Sequence, residues 1–175
     1  MTCKKHFIYK KYYATPERFD DMVMISDGEK LTGLLFTGSK DMQKFSLPEN
    51  ETSLSVFDET KEWLDEYFGG KIPSFTPDFC VSALSPFQKR VSEIMREIPY
   101  GKTMTYGEIA AEIAEERGIK RMSAQAVGGA VGANPICIII PCHRVLGANG
   151  AITGYGGGIK NKESLLNLEK IPFKN

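Results

Sequence analysis

Ile136-Cys137-Ile138-Ile139-Ile140-Pro141-Cys142-His143-Arg144-Val145 sets an apolar run against a proline, and the proline against a cysteine and a histidine. A short run of β-branched residues reads as a buried strand. Pro141 then marks where that strand breaks into a loop and delivers Cys142 to a site. A thiol is a strong nucleophile only as thiolate, and a neighbouring base or cation draws its pKa down from about 8.5. A lone Cys-His pair more often means a buried structural cysteine beside a surface histidine, so the flanking sequence has to decide.

Upstream, Ser123-Ala124-Gln125-Ala126-Val127-Gly128-Gly129-Ala130 predicts a short helix from about Ser123 to Val131 built almost wholly from small residues. Each mid-helix glycine costs about 0.8–1.0 kcal/mol relative to alanine, so something must approach that backbone closely, either another helix or a nucleic-acid groove. Before it, Thr105-x-x-Glu108 is a capping box opening a helix with Tyr106, Ile109, Ala110, Ile113 and Ala114 on one face, ended by Gly118. Earlier still, Ser85 as cap, Pro86 at the first helical position and Gln88 three residues on start a helix whose apolar face is Phe87, Val91, Ile94, Met95 and Ile98, stopped by Pro99-Tyr100-Gly101. Two helices joined by about five residues make a helix-turn-helix candidate, although any helical hairpin shares that outline.

The first half reads differently. Met22–Ser26, Asp27-Gly28 and Glu29–Phe36 predict a β-hairpin, since Asp-Gly tolerates the positive φ angles of a tight turn. An amphipathic helix follows, with Val56, Thr60, Trp63, Leu64, Tyr67 and Phe68 on one face as core, Ser55-x-x-Asp58 as its cap and Gly69-Gly70 as its end. Pro73, Pro77 and Pro86 punctuate a linker. The expected division is a supporting unit over residues 1–80 and a second unit over 86–175.

At 175 residues, 42% apolar and 25% charged, the chain is an ordinary globular protein of one or two small domains, with no apolar run long enough to span a membrane and no signal-peptide pattern. A cytoplasmic location and a monomer are expected. Cys3, Cys80, Cys137 and Cys142 show no disulfide-scaffold spacing and are expected to be reduced. Cys3 and His6 lack the further ligands of a structural zinc site, so no metal is expected. Net charge is zero, yet residues 1–85 hold 10 Lys+Arg against 14 Asp+Glu, and residues 86–175 hold 12 against 8. An anionic partner would dock more easily on the second half.

Taken together, Ala126-Val127-Gly128-Gly129-Ala130, Asn134-Pro135, Ile140 to Val145, Gly154-Tyr155, Lys162-Glu163, Leu165-Leu166 and Glu169 closely resemble the O6-alkylguanine-DNA alkyltransferases over residues 86–170. The resemblance implies an α+β protein: a small N-terminal ribonuclease H-like α/β domain, then a mainly helical domain with a winged-helix-like helix-turn-helix. It implies direct repair of double-stranded DNA containing O6-alkylguanine, without a cofactor. The damaged nucleotide is flipped out of the stack, and its alkyl group passes once, irreversibly, to Cys142.

By the same resemblance Glu169 orients His143 and stabilises its charged form, a water links His143 to Cys142, and Asn134 braces the turn. Tyr106 crowds the phosphate and, with a backbone N–H near Gly156, stabilises the departing guanine. The carbonyls of Cys142 and Val145 receive the base's amino group, Tyr155 and Val131 wall the pocket, and Lys162 supports the loop. Ser123, Ala124, Gln125, Ala126 and Gly128 face DNA, with Gln125 where relatives often carry an arginine finger. Cys137, where relatives often have proline or serine, is read as a small buried apolar residue. Two other readings stay open: a reader of alkylated bases without transfer, which would lack Cys142, and a cysteine hydrolase using Cys142, His143 and Glu169, which would turn over repeatedly.

Overall fold

A computed structural model describes residues 8–44, 46–49 and 51–174; Cys3 and His6 lie outside them. Three strands, β1 (Tyr9–Tyr13), β2 (Met22–Ser26) and β3 (Leu31–Phe36), form an antiparallel sheet in the order β1-β2-β3. All five residues of β2 are buried, as befits the central strand. Helix α1 (Ser55–Phe68) packs on this sheet through Val56, Phe57, Trp63, Leu64 and Tyr67. Ser55 is not its cap: the N-cap is Leu54, which makes no side-chain hydrogen bond. The hairpin turn is also longer than the two residues expected. Asp27 Oδ1 accepts the N–H groups of both Glu29 and Lys30, so the loop takes in residues 27–30 and β3 begins only at Leu31.

The second half carries α2 (Pro86–Glu97), a two-residue strand β4 (Met104–Thr105), α3 (Tyr106–Glu116), α4 (Ala124–Val131), a two-residue strand β5 (Val145–Leu146) and α5 (Ile159–Leu168). Its caps form as the sequence grammar requires: complete capping boxes at Ser85/Gln88 and Thr105/Glu108, and Ser123 Oγ accepting the Ala126 N–H. Helices α2 and α3 both pack against α4.

The segment that decides the site is not a strand. Ile136 and Cys137 enter it, Ile138 and Ile139 turn it, and Cys137 bridges Ile140. Ile138 takes φ +70°, a left-handed conformation that a β-branched residue adopts at a cost of about 1–3 kcal/mol and only where its surroundings impose it. They do so from two sides. On one, β3 of the first half holds it: Leu34 N–H donates to Pro135 O at 2.8 Å and Cys137 N–H to Leu34 O at 2.9 Å. On the other, Val145 and Leu146 pair in parallel with Met104 and Thr105 at the entrance to α3. Residues of both halves meet in one continuous apolar core.

Cys80 is disulfide-bonded, against the expectation of four reduced thiols. Its N–H is tied to Leu31 O on the edge of β3 and its side chain is only partly buried, a placement that sequence spacing does not disclose. Among the described residues, no helix is long and apolar enough to cross a membrane, and no cluster of three or more His, Cys, Asp or Glu is arranged to hold a metal ion.

Candidate active site

Cys142 opens a single turn of 3-10 helix, Cys142–Arg144, directly after Pro141. Its side chain is 5% exposed and lies at a cavity of about 440 Å3, within the size range of small-molecule pockets. Tyr106, Asn134, Tyr155 and Gly156 share that cavity with the sulfur, as do Ala124, Gln125, Gly128 and Val131 from α4. Asn134 does more than brace the turn. Its amide donates to Ile140 O at 2.8 Å and to Cys142 Sγ at 3.1 Å, while its Oδ1 accepts the Ile136 N–H at 3.0 Å.

The Cys142 thiol is lowered from 9.0 to about 7. Hydrogen bonding from the Cys137 thiol lowers it most, burial opposes, and the Asn134 amide, Tyr155 and the charge of Lys162 add to the lowering. The Tyr155 hydroxyl is buried beside the sulfur without the alignment of a formed hydrogen bond. Cys137 is driven well above its ordinary value by the same hydrogen bond and by burial. Of the two thiols, Cys142 is therefore the one that ionises.

Behind Cys142 sits a fully buried acid. Glu169, at the C-terminal end of α5, receives the Tyr67 hydroxyl at 2.6 Å and His143 Nε2–H at 2.8 Å on one oxygen. Arg144 donates to both of its oxygens at 2.9 Å, and Gly101 N–H reaches Oε2 at 3.0 Å. Burial alone would raise this carboxyl, but the hydrogen bonds and charges of His143 and Arg144 hold it far below the usual carboxylate range. His143 is lowered, because burial outweighs the attraction of Glu169 and because Arg144 and Lys162 repel a second positive charge. Glu169 thus favours the charged imidazole, as expected, but burial outweighs it, and the cation bound to both carboxylate oxygens is Arg144. With Nε2–H committed to Glu169, Nδ1 is the basic nitrogen; it is buried and has no hydrogen-bond partner in the protein. No hydrogen bond joins His143 directly to the Cys142 sulfur among the described residues.

Other candidates are placed apart from the cavity. Val145 lies buried in β5 and its carbonyl accepts Lys162 Nζ at 2.7 Å, while the Cys142 carbonyl receives the Val145 N–H, so neither carbonyl is unoccupied. Lys162 is fully buried and also reaches Gly154 O at 3.2 Å, clasping both ends of the loop over the site; burial lowers it from 10.5 to about 8. Ser123 and Ala126 are exposed on α4 outside the cavity lining. On the same helix, a side chain at Gly129 would meet nothing within 4 Å, and one at Gly128 would meet only the Tyr106 ring, at 3.8 Å. No internal neighbour explains the glycine at 129.

Three participants escaped the sequence reading. Tyr67 was assigned wholly to the core of its helix, although a buried tyrosine hydroxyl needs a partner, and that partner is Glu169. Arg144 stands inside the quoted motif but was given no role. Asp41, from the 3-10 turn Lys40–Lys44 after β3, lines the cavity, and its carboxylate lies so close to Gly156 that any side chain there would overlap it. No local pattern announced that contact across 115 residues of chain.

The match to known proteins covers both halves. Residues 86–171 fit the 6-O-methylguanine DNA methyltransferase DNA binding domain, and residues 8–77 fit the ribonuclease-like domain of the same family. The chain belongs to the 6-O-methylguanine DNA methyltransferase family. It is 37% identical over 171 residues to the methylated-DNA–protein-cysteine methyltransferase of Haemophilus influenzae, covering 95% of this chain and 88% of that one. With the Methanosarcina acetivorans protein of the same name it shares 40% over 163 residues, 90% of this chain and 97% of the relative. The crystal structure of the Mycobacterium tuberculosis O6-methylguanine methyltransferase superimposes with a TM-score of 0.74 at 35% identity, covering 94% of this chain and 93% of that one. The Mycobacterium tuberculosis protein in complex with DNA gives the same score over 93% and 92%. The fold is that of the family, a small sheet domain followed by a helical one, and the activity is the family's, direct repair by methyl transfer to a protein cysteine.

Proposed function

We propose that Cys142 is the acceptor and that the substrate is O6-alkylguanine flipped out of double-stranded DNA into the cavity beside it. The observation that carries this is the meeting, at one cavity, of a thiol lowered to about 7 and the outer face of α4, whose exposed residues apart from Gln125 are alanine and glycine. A helix bare of side chains can lie against a groove, and the cavity at its flank receives the extruded base. Gln125 is exposed at the rim, where it fills the vacated stack as a neutral amide in place of a guanidinium. Residues 1–80 and 86–175 act as support and reaction unit respectively, and the chain works as a monomer in the cytoplasm.

The His143 Nδ1 lone pair takes the thiol proton through a bridging water, with Glu169 holding the ring and Arg144 balancing Glu169. The Cys142 sulfur attacks the alkyl carbon; the S–C bond forms, the C–O6 bond breaks, and the electron pair leaves with the guanine. Tyr106 and the backbone at Gly156 lie at the cavity to receive that charge. The product is a thioether with no activated leaving group, so each molecule reacts once and no cofactor enters.

Intact-mass spectrometry after incubation with an O6-methylguanine duplex tests this. One methyl group per molecule, mapped to Cys142 and absent from Cys142→Ala, is the expected result. Repeated turnover, or methylation at another residue, would overturn it and favour a hydrolase or a different acceptor.

A further inference from the structure

One wall of the cavity beside Cys142 is a loop: Thr153, Gly154, Tyr155, Gly156 and Gly157 all line it. Lys162 ties one end of that loop, at Gly154, within the second half of the molecule. The other end is tied to the first half through a single side chain. Asn161, in the first turn of α5, is fully buried. Its amide donates to Gly157 O at 2.7 Å and to Asp20 Oδ2 at 2.8 Å, and its Oδ1 accepts the Asp20 N–H at 3.0 Å. Asp20 stands just before β2, 141 residues away in sequence.

With both of its N–H groups and its oxygen engaged, the planar amide has one orientation. It therefore locks the loop carbonyl, α5 and the first half to one another. The loop needs such a lock, because Gly154, Gly156, Gly157 and Gly158 give it little conformational preference of its own. Its contacts repeat the pattern. A side chain at Gly157 would meet the Phe36 ring at 2.8 Å, and one at Gly156 would overlap the Asp41 carboxylate. Phe36 ends β3 and Asp41 lies in the turn after it, so the first half backs the loop as well as tethering it.

We propose that Asn161 is a positioning residue that sets which alkyl groups reach Cys142: by pinning Gly157 to Asp20 it fixes the glycine-rich wall of the cavity, favouring methyl over groups the size of benzyl. The inference deepens the reading of Cys142 as acceptor and rests on it. The bonds made and broken are those already described, S–C for C–O6. What the wall controls is the alignment of the carbon, and a displacement of about 1 Å can slow a reaction by up to about 100-fold. A loosened wall therefore costs a methyl group its alignment while giving a benzyl group room.

N161D is nearly isosteric, but it turns acceptors towards Gly157 O and the Asp20 carboxylate and so releases the loop. Alkylation of Cys142 by iodoacetamide and by the bulkier N-benzyliodoacetamide, each rate taken relative to a free thiol and located by peptide mass, reads the cavity without DNA. Single-turnover transfer from O6-methylguanine and O6-benzylguanine duplexes reads the reaction. Wild type should favour the smaller member of each pair, and N161D should narrow both preferences by roughly five-fold or more. N161D/D20N rebuilds the link between the halves with donor and acceptor exchanged, but not the bond to Gly157 O. Its resistance to urea should recover while the size preference stays narrowed. A preference unchanged in N161D overturns the proposal. So does a preference that returns to wild type together with stability in the double variant, which would mean that Asn161 only joins the halves. Should N161D fail to fold, the double variant takes its place in the comparison with wild type. Narrowing with the two reagents alongside no transfer from DNA by the wild-type chain would sink the repair reading and leave the control of size at Cys142 standing.

Discussion

Two arginine–carboxylate clusters sit in the second half of this molecule. On the surface, Arg90 of α2 spans Glu112 and Glu116 of α3 and Glu93 of its own helix, bidentate to Glu116 through Nε and Nη2. Its partners are 37–59% exposed. In the interior, Arg144, His143, Tyr67 and Gly101 converge on Glu169, whose side chain is fully buried. Similar chemistry has opposite consequences in the two places. Water and salt screen the first cluster, so losing a partner there leaves a charge that is simply rehydrated. In the second, every donor removed leaves another group stranded without water. The interior cluster is therefore the more sensitive of the two, and it is the one that the proposed reaction depends on.

Glu169→Ala should break the contrast most visibly. Leaving Arg144 and His143 without their acceptor should cost about 3–5 kcal/mol in urea unfolding at pH 7, and single-turnover transfer should fall further than the affinity for DNA does. Acid should do part of the same work without mutation. Glu169 sits below its unfolded value of 4.5, so its contribution is complete above that pH and fades as the solution is acidified towards a folded pKa far below it. His143 is also lowered, from 6.5, so it favours the folded state above that pH and opposes folding progressively below it as the unfolded ring takes up a proton. Thermal melts should therefore show stability declining from about pH 6.5 and more steeply below about 4.5, with the lower phase reduced in Glu169→Gln.

Tyr67→Phe should have a smaller effect. It removes one of the donors to Glu169, costs about 1–2 kcal/mol in the same unfolding assay, and slows transfer several-fold as His143 is held less firmly. Arg90→Ala should be the weakest, no more than about 1 kcal/mol at low ionic strength and less in high salt, with transfer unchanged. A loss at Arg90 comparable to that at Glu169 would mean that the interhelical pairing, not burial, governs the stability of this half.

The same contrast explains what the sequence disclosed. The helices were legible because their signals are local: Ser85 with Gln88, Thr105 with Glu108, and Ser123 each lie within three residues of the N–H they cap. Strand β1 was not read at all. Tyr9-Lys10-Lys11-Tyr12-Tyr13 looks polar, yet Lys10 and Tyr13 are buried at 8% and 7% against the sheet, and only pairing with β2 makes a strand of it. The turn at Ile136–Ile140 departs from the expected strand because β-branched residues favour extended backbone, whereas long-range ties, to Leu34 on one side and through the β4–β5 pairing on the other, hold a turn with Ile138 left-handed. At the site, the motif itself supplied Cys142 and His143, and the resemblance supplied Asn134 and Glu169. Tyr67 and Asp41 reach it from 75 and 101 residues upstream of Cys142, through a fold that no window of sequence contains.

The hydrogen bonds from Leu34 to Pro135 and Cys137 give the first half more than a supporting part. Were the chain severed in its proline-rich linker and the pieces produced apart, β3 would lose the residues that cover its outer edge. An uncovered edge of buried aliphatic side chains invites other copies to pair with it and precipitate. The separate second piece would keep its helices and the β4–β5 pairing, but Ile138 would lose one of the two holds on its disfavoured conformation. A fragment could then possess every residue of the motif and still be a poor acceptor.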